Sequence, residues 1–203
     1  MAQILATHDP FLHSQAQLFV LPVSTDGNIV HPVVARCKTL FLDNYQRYYQ
    51  SAMMGELSLG QVMLNPVAKQ QTGLGVRTSN VAYIANLMLQ KFVYHPVSER
   101  MLLTCLKALK PMVYQLMRYQ GLRRLSFVAS PLLMAKCVQA PNLTAQQIFD
   151  GWQLVFADVP KLTILLHFSK EITLPQKTLE NRSQTGYNTH LSANVVELVD
   201  TPS

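Results

Sequence analysis

Arg123 and Arg124 stand side by side immediately before a buried apolar run, and with Lys136 they could gather into a basic patch near a strand end. A solvated pair ahead of a core strand is the competing account. Phe41, Tyr45, Tyr48 and Tyr49 recur at spacings that bring some of them together on one helix face. Rings so placed could stack on a nucleobase, although core packing uses the same spacing and is the stronger expectation. Trp152 reads as a ring packed on a sheet. Cys37, Cys105 and Cys137 are odd in number and widely separated, without the paired spacing that holds zinc or builds a disulfide framework, so they read as reduced, buried thiols. No Ser/His/Asp order, carboxylate pair or phosphate-loop motif stands out.

The elements that would position these residues alternate between buried apolar runs and stretches of helical period, the pattern of an α/β domain in which helices cover a mixed sheet in three layers. Residues 17–23 read as a buried strand, followed by the polar turn Ser24-Thr25-Asp26-Gly27-Asn28 and a helix that opens at Pro32, where proline suits the first turn, and runs to about Met54. Further strands are predicted at 61–64, 81–87, 125–129 and 162–168, with helices at 99–119 and 143–156. Leu102, Leu106, Leu109, Val113 and Leu116 place one face of the longer helix on the sheet, Ser98 is its expected cap and Pro111 a candidate kink. A polar connection holding Gly73 and Gly75 precedes the strand at 81–87.

Composition agrees with one domain carrying a substantial core. Of 203 residues 49% are hydrophobic and 14% charged, with a formal net charge of +6. That charge lies in the body: residues 1–168 hold 14 Lys and Arg against 7 Asp and Glu. A basic body is compatible with phosphate-bearing ligands, nucleotides or nucleic acid. The first residues lack the basic start and apolar stretch of a signal peptide, and no apolar run approaches the roughly 20 residues that span a bilayer, so a cytoplasmic protein without membrane association is expected.

Leu21-Pro22-Val23-Ser24-Thr25-Asp26-Gly27, then Ile29-Val30-His31-Pro32 and Val34-Ala35-Arg36-Cys37-Lys38, together resemble the opening of macrodomains of the bacterial DNA-ADP-ribose hydrolase type. That family reads Asn-Pro-Val-Asn-Thr-x-Gly, then Met-Gly-Lys-Gly, then Ala-x-x-Phe-Lys. Pro22, Val23, Thr25, Gly27 and Lys38 match without a gap. Gly55-Glu56-Leu57-Ser58-Leu59-Gly60-Gln61 is similar to the family's Gly-x-Leu-x-x-Gly-Gln turn, and Tyr83-Ile84-Ala85-Asn86-Leu87 looks like the strand ending in Asn-Phe-Pro-Thr-Lys. The resemblance implies a three-layer α/β/α macrodomain-like fold over residues 1–168, with 169–203 as a partly disordered extension.

It also implies a site. A macrodomain holds ADP-ribose by amides of glycine-rich loops that approach the diphosphate closely. Here Val30 and Pro32 replace two glycines, and Pro32 has no N–H to give. The second loop, 130–138, lacks glycine altogether, so Leu132 and Leu133 are expected either to plug the diphosphate site or to project as an apolar patch. Ser24 stands where the family has its active-site asparagine. Gln90 occupies the position of the hydrolase lysine, with Lys91 adjacent, and a one-residue bulge would bring Lys91 into place. The expected ligand contacts are Asp9, offset by one from the family's adenine-contacting acid, with Thr25, Gly27, Ile29, His31, Asn86, Ser130, Leu132 and Leu133. A solvated carboxylate at Asp9 and a helix-cap histidine at His31 are the plainer readings of those two.

The function implied is noncatalytic binding of ADP-ribose, a related nucleotide or phosphate ligand, or an ADP-ribosylated macromolecule, with no cofactor or metal. Two alternatives stay open: an ADP-ribosyl hydrolase using Ser24, Gln90 or Lys91, and a scaffold with a filled cleft. Residues 193–203 resemble the translated 5′ end of a bacterial leucine transfer-RNA gene. That likeness predicts a bacterial gene beside a mobile element integrated there, testable by sequencing the flank.

Overall fold

The computed structural model describes residues 1–67, 80–133 and 143–175. Gly73, Gly75, Lys136, Cys137 and the segment 193–203 lie outside the described residues, so the expectations attached to them stay as stated.

The chain runs β1 (Gln3–Thr7), a 3-10 turn (Phe11–His13), β2 (Leu18–Ser24), α1 (Pro32–Leu40), α2 (Leu42–Met53), β3 (Val62–Pro66), β4 (Tyr83–Gln90), α3 (Glu99–Gln120), β5 (Arg124–Val128), α4 (Ser130–Leu133), α5 (Ala145–Phe156) and β6 (Thr163–His167). Among the described residues the strands form one sheet in the order β1-β6-β5-β2-β4-β3. β3 is antiparallel to β4, and the other pairings are parallel. This is the mixed, helix-covered sheet of the sequence reading.

β2 shows how two cores are divided. All seven of its residues are buried, as a strand covered on both faces must be. Period-2 alternation sends Leu18 and Val20 into a core built with α3 and α5, and Phe19, Leu21 and Val23 into a second with α1, α2 and the 3-10 turn. Trp152 on α5 lies on the sheet, its ring 5.2 Å from both Phe127 and Phe156. Ile172 and Leu174 also pack on the α3 and α5 core, which therefore continues past residue 168.

The helix boundaries have local causes. Ser98 Oγ accepts from the Met101 amide at 3.2 Å to start α3, and Gly121, left-handed at φ 67°, ends it. α3 passes through Pro111 without interruption. The single helix expected from Pro32 to about Met54 is instead two, because Phe41 leaves the helical region (φ −125°, ψ 61°) while its buried ring meets Phe19 edge-on at 6.0 Å. Two further differences bear on the site: β1 is an edge strand the sequence reading did not anticipate, and β4 runs on to Gln90, placing Asn86 in mid-strand.

Candidate functional site

The carboxyl ends of β2, β4, β5 and β6 open onto two neighbouring clefts. The larger, about 300 Å³, is walled by Pro22, Val23, Ser24 and Gln90 at the strand ends, by the segment from Asn28 to Pro32 with Val34, and by Val93, Tyr94 and Pro131. The smaller, about 200 Å³, is bounded by His8, Asp9 and Phe11, by Val128 and Ser130, and by His167 to Lys170. His31 lines both.

The turn after β2 is held from several sides. Ser24 Oγ donates to the Asp26 carboxylate and lies 3.3 Å from the Asn28 carbonyl. Asp26 Oδ1 accepts from the Asn28 amide at 3.1 Å, and Oδ2 from Asn28 Nδ2 at 2.9 Å. Burial alone would raise the Asp26 carboxyl, but the hydrogen bonds from Ser24 and Asn28, with the Val93 amide facing it, outweigh burial and hold it below the usual value, so it is an anion at neutral pH. Buried Tyr48 donates its hydroxyl to the Ser24 carbonyl at 2.7 Å. Burial pushes that phenol up to about 12, so it stays a donor. Gly27 sits at φ 79°, and a Cβ there would come within 3.2 Å of the Ala52 Cβ, so only glycine fits the turn against α2.

Of the residues singled out from sequence, Ser24, Ile29, His31 and Gln90 line the larger cleft, and Asp9, His31 and Ser130 the smaller. His31 caps α1, its Nδ1 accepting from the Val33 amide at 3.3 Å, and burial lowers its pKa, leaving it neutral at pH 7. Gln90 Nε2 is spent on the His95 carbonyl. Thr25 is structural: its amide donates to the Gln90 carbonyl at 2.8 Å and its hydroxyl to the Lys91 carbonyl at 3.1 Å.

Other residues fall elsewhere. The register of β2 on β4 does slip by one residue, with Val23 opposite Met88 and Ser24 opposite Gln90. The slip presents Gln90 to the cleft. Lys91 is exposed with its Nζ 5.6 Å from the Phe92 ring centre, and it is not among the lining residues. Asn86 is 1% exposed and bonded to Asn44 beneath α2, away from both clefts. Leu132 and Leu133 neither plug the site nor form a projecting patch. Leu132 is 2% exposed within the α3 and α5 core and Leu133 packs partly against it, because the short turn of α4 rolls both toward the opposite side of the sheet and leaves Pro131 at the cleft.

Several site residues escaped the sequence reading. Asp26 and Asn28 could have been found from their Asx-type spacing in the turn. His167 could not. Its Nδ1 donates to the Asp9 carbonyl at 2.9 Å, which fixes Nε2 as the acceptor from Ser126 Oγ at 3.2 Å, and Ser126 in turn meets Ser14 Oγ at 2.6 Å. Burial lowers its pKa against the opposing pull of the Asp9 carbonyl and of the Asp9 carboxylate charge. His8 Nδ1 is buried beside the same cleft with no hydrogen-bond partner among the described residues.

Cys37 and Cys105 are buried free thiols, both pushed up to about 12 by burial, and so inert as nucleophiles. Among the described residues no group of three or more His, Cys, Asp or Glu side chains is placed to hold a metal ion, and no helix is long and apolar enough to cross a membrane.

No family model matches the sequence, and no curated protein matches it. Solved structures do. The chain is similar to the macrodomain of Thermus aquaticus DarG (18% identity, TM-score 0.61, covering 82% of this chain and 99% of that one). It is also similar to the macrodomain of Mycobacterium tuberculosis DarG (12%, TM-score 0.65, 82% and 98%). Against Thermosipho africanus DarTG, solved in complex with ADP-ribose, identity is 13% and the TM-score 0.64, and the match spans 85% of this chain but 43% of that larger one. With a six-stranded mixed sheet in this order, helices on both faces and clefts at the carboxyl strand ends, the chain has the macrodomain fold.

Proposed function

We propose that the protein is a noncatalytic binding module for ADP-ribose or a closely related nucleotide. The observation that carries this reading is the open 300 Å³ cleft at the carboxyl ends of β2 and β4, left clear because Leu132 lies in the opposite core. Ligands of open α/β sheets bind outside the carboxyl ends of the strands. A cleft that is mostly apolar with a few converging polar groups, here Ser24, Asn28, His31 and Tyr94, suits a nucleoside-sized ligand. The Ser24 hydroxyl, already donating to Asp26, has lone pairs left to accept from a ribose hydroxyl. The adjoining smaller cleft, with Asp9 and the unpartnered His8 Nδ1, supplies polar groups for the far end of a two-part ligand.

The same residues weigh against catalysis. Asp26 is committed to Ser24 and Asn28, Gln90 to His95, and Lys91 lies over Phe92, so none of the three is free to act as base, acid or cation over the larger cleft, and His31 has its Nδ1 engaged by the Val33 amide. Binding at the diphosphate is weakened too, since Pro32 has no amide and the Val33 amide is taken by His31.

Calorimetric titration of the full chain with ADP-ribose tests the reading. Micromolar binding that weakens in Ser24→Val supports it. Absence of heat at millimolar ligand removes it. Release of ADP-ribose from a modified substrate would instead establish the hydrolase alternative.

A further inference from the structure

At the other end of the strands the surface changes character. Arg124 opens β5 with Arg123 just before it, and the neighbouring β6 begins at Thr163, in register with Arg124 and bonded through its amide to the Arg123 carbonyl at 2.8 Å. Lys161 lies two residues before Thr163, and α3 ends beside this rim with Arg118 and Tyr119. All four cations are exposed, as is 69% of Tyr119. We propose that this rim, opposite the cleft, is a track for the phosphodiester backbone of a nucleic acid.

Three observations argue for a built surface. First, the rim is held in place by Gln17, whose Oε1 accepts from the amides of Arg123 (2.7 Å) and Arg124 (3.3 Å) while its Nε2 donates to the Gly121 carbonyl at 3.4 Å. Arg123 Nη1 donates back to the Leu122 carbonyl at 3.0 Å, which steadies its guanidinium at the rim, and both arginines stay exposed on a fixed backbone. Second, their charge is uncompensated. Asp158, a few residues before Lys161 in the chain, is engaged at both oxygens by Lys110 at 2.8 Å, and none of the four cations has an ion-pair partner among the described residues. Third, Lys161 takes φ 56°, a left-handed conformation in which glycine would be unstrained and which keeps a cation at the strand end.

The partner follows from the mixture of groups. Cations strung along a rim attract a polyanion of any kind, but an exposed tyrosine carrying the Arg118 guanidinium 5.4 Å from its ring centre adds a face on which a base can stack. Cations tracking a backbone beside a stacking ring fit nucleic acid better than an acidic peptide.

The test is fluorescence anisotropy of the full chain with labelled oligothymidylate and, separately, a DNA duplex, each at several salt concentrations. Four phosphate contacts predict a log–log salt slope of about −3 on the single strand. Arg123→Glu/Arg124→Glu should bind at least about tenfold more weakly with a shallower slope, while its unfolding midpoint and its ADP-ribose titration stay unchanged. Arg118→Glu/Lys161→Glu, outside the β5 ladder, should reproduce the loss should the first pair perturb folding. Tyr119→Ala separates the two sources of phosphodiester. A loss of about tenfold confined to oligothymidylate assigns single strands, and no loss on either probe assigns duplex, with the track upheld in both cases. Undiminished affinity in both charge-reversed variants overturns the proposal. So does a polyglutamate competitor that displaces the probe as well as unlabelled oligonucleotide does, which would make the rim a site for acidic proteins.

Discussion

The Tyr48 hydroxyl reaches the Ser24 carbonyl at 2.7 Å with the Gly27 amide beside it, so one buried phenol braces the turn that forms the floor of the larger cleft. Tyr48→Phe keeps the ring packing and removes only this bond, leaving a carbonyl buried without its partner. The expected cost is about 1–2 kcal/mol in urea unfolding, with weaker ADP-ribose binding, because Ser24 and Asn28 lose their common support. Unchanged stability would show that water replaces the hydroxyl. His167 makes a second prediction at this scale. Burial sets its folded pKa below 6.5, so the unfolded chain takes up a proton at higher pH than the folded chain does. Its contribution to stability is therefore complete above 6.5 and declines as pH falls from 6.5 toward the folded value, levelling off below it. The groups facing it from neighbouring elements are the Asp9 carbonyl and carboxylate, Ser126 and, across the smaller cleft, His8, His31 and Lys170. Urea midpoints measured at about pH 7.5 and 5 should differ less in His167→Asn, whose amide can still reach the Asp9 carbonyl, than in the unaltered chain. Since His31 is also lowered by burial, part of the dependence should survive.

Between residues and molecule stand the joints that hold one element to another, and the sharpest is a cluster of three asparagines. Asn44 on α2 accepts through Oδ1 from Asn65 Nδ2 on β3 and from Asn86 Nδ2 on β4, both at 2.9 Å. All three are buried, and the cluster fastens α2 to the antiparallel corner of the sheet. Asn44→Ala strands two buried donors and should cost about 2–4 kcal/mol in urea unfolding, more than Asn65→Ala, which strands one partner of the network. Equal losses would mean that the network relaxes around either gap. Such joints explain what the sequence disclosed and what it did not. β2 and α3 were legible because an unbroken apolar run and a three- and four-residue period are local signals. Asn86 was read as a ligand contact through its place in a similar strand, whereas its side chain answers to Asn44, 42 residues away. The break at Phe41 was hidden for a like reason, since the ring that accompanies it packs on Phe19 of a distant strand. β1 went unread because Leu5 on its exposed face is as apolar as Ile4 and Ala6 on the core face, so the alternation in burial has no counterpart in the sequence. In the site, Ser24, His31 and Gln90 were legible through their register with a known motif, while His167 reaches the cleft only by the pairing of β6 with β1 and β5.

At the scale of the whole molecule, a sheet with a separate core on each face keeps the cleft independent of half its packing. Leu132 tests this separation. It follows β5 by only a few residues and stands where a ligand loop was expected, yet it is 2% exposed among the side chains of α3 and α5. Leu132→Ala should therefore behave as a core truncation, losing about 2–4 kcal/mol through lost burial and the cavity left behind. Its effect on ADP-ribose affinity should be small, because the cleft wall at this point is Pro131 and not the leucine. Leu133→Ala, only partly buried on the same side, should cost less, with the same indifference in binding. Urea unfolding and calorimetric titration on both variants give the two readouts separately. Tighter ADP-ribose binding in Leu132→Ala at unchanged stability would place that side chain over the cleft after all and restore the picture of a blocked site. A stability loss with unaltered affinity would instead identify the leucines as part of the α3 and α5 core, so that departure from glycine at these two positions reinforces the fold without closing the cleft.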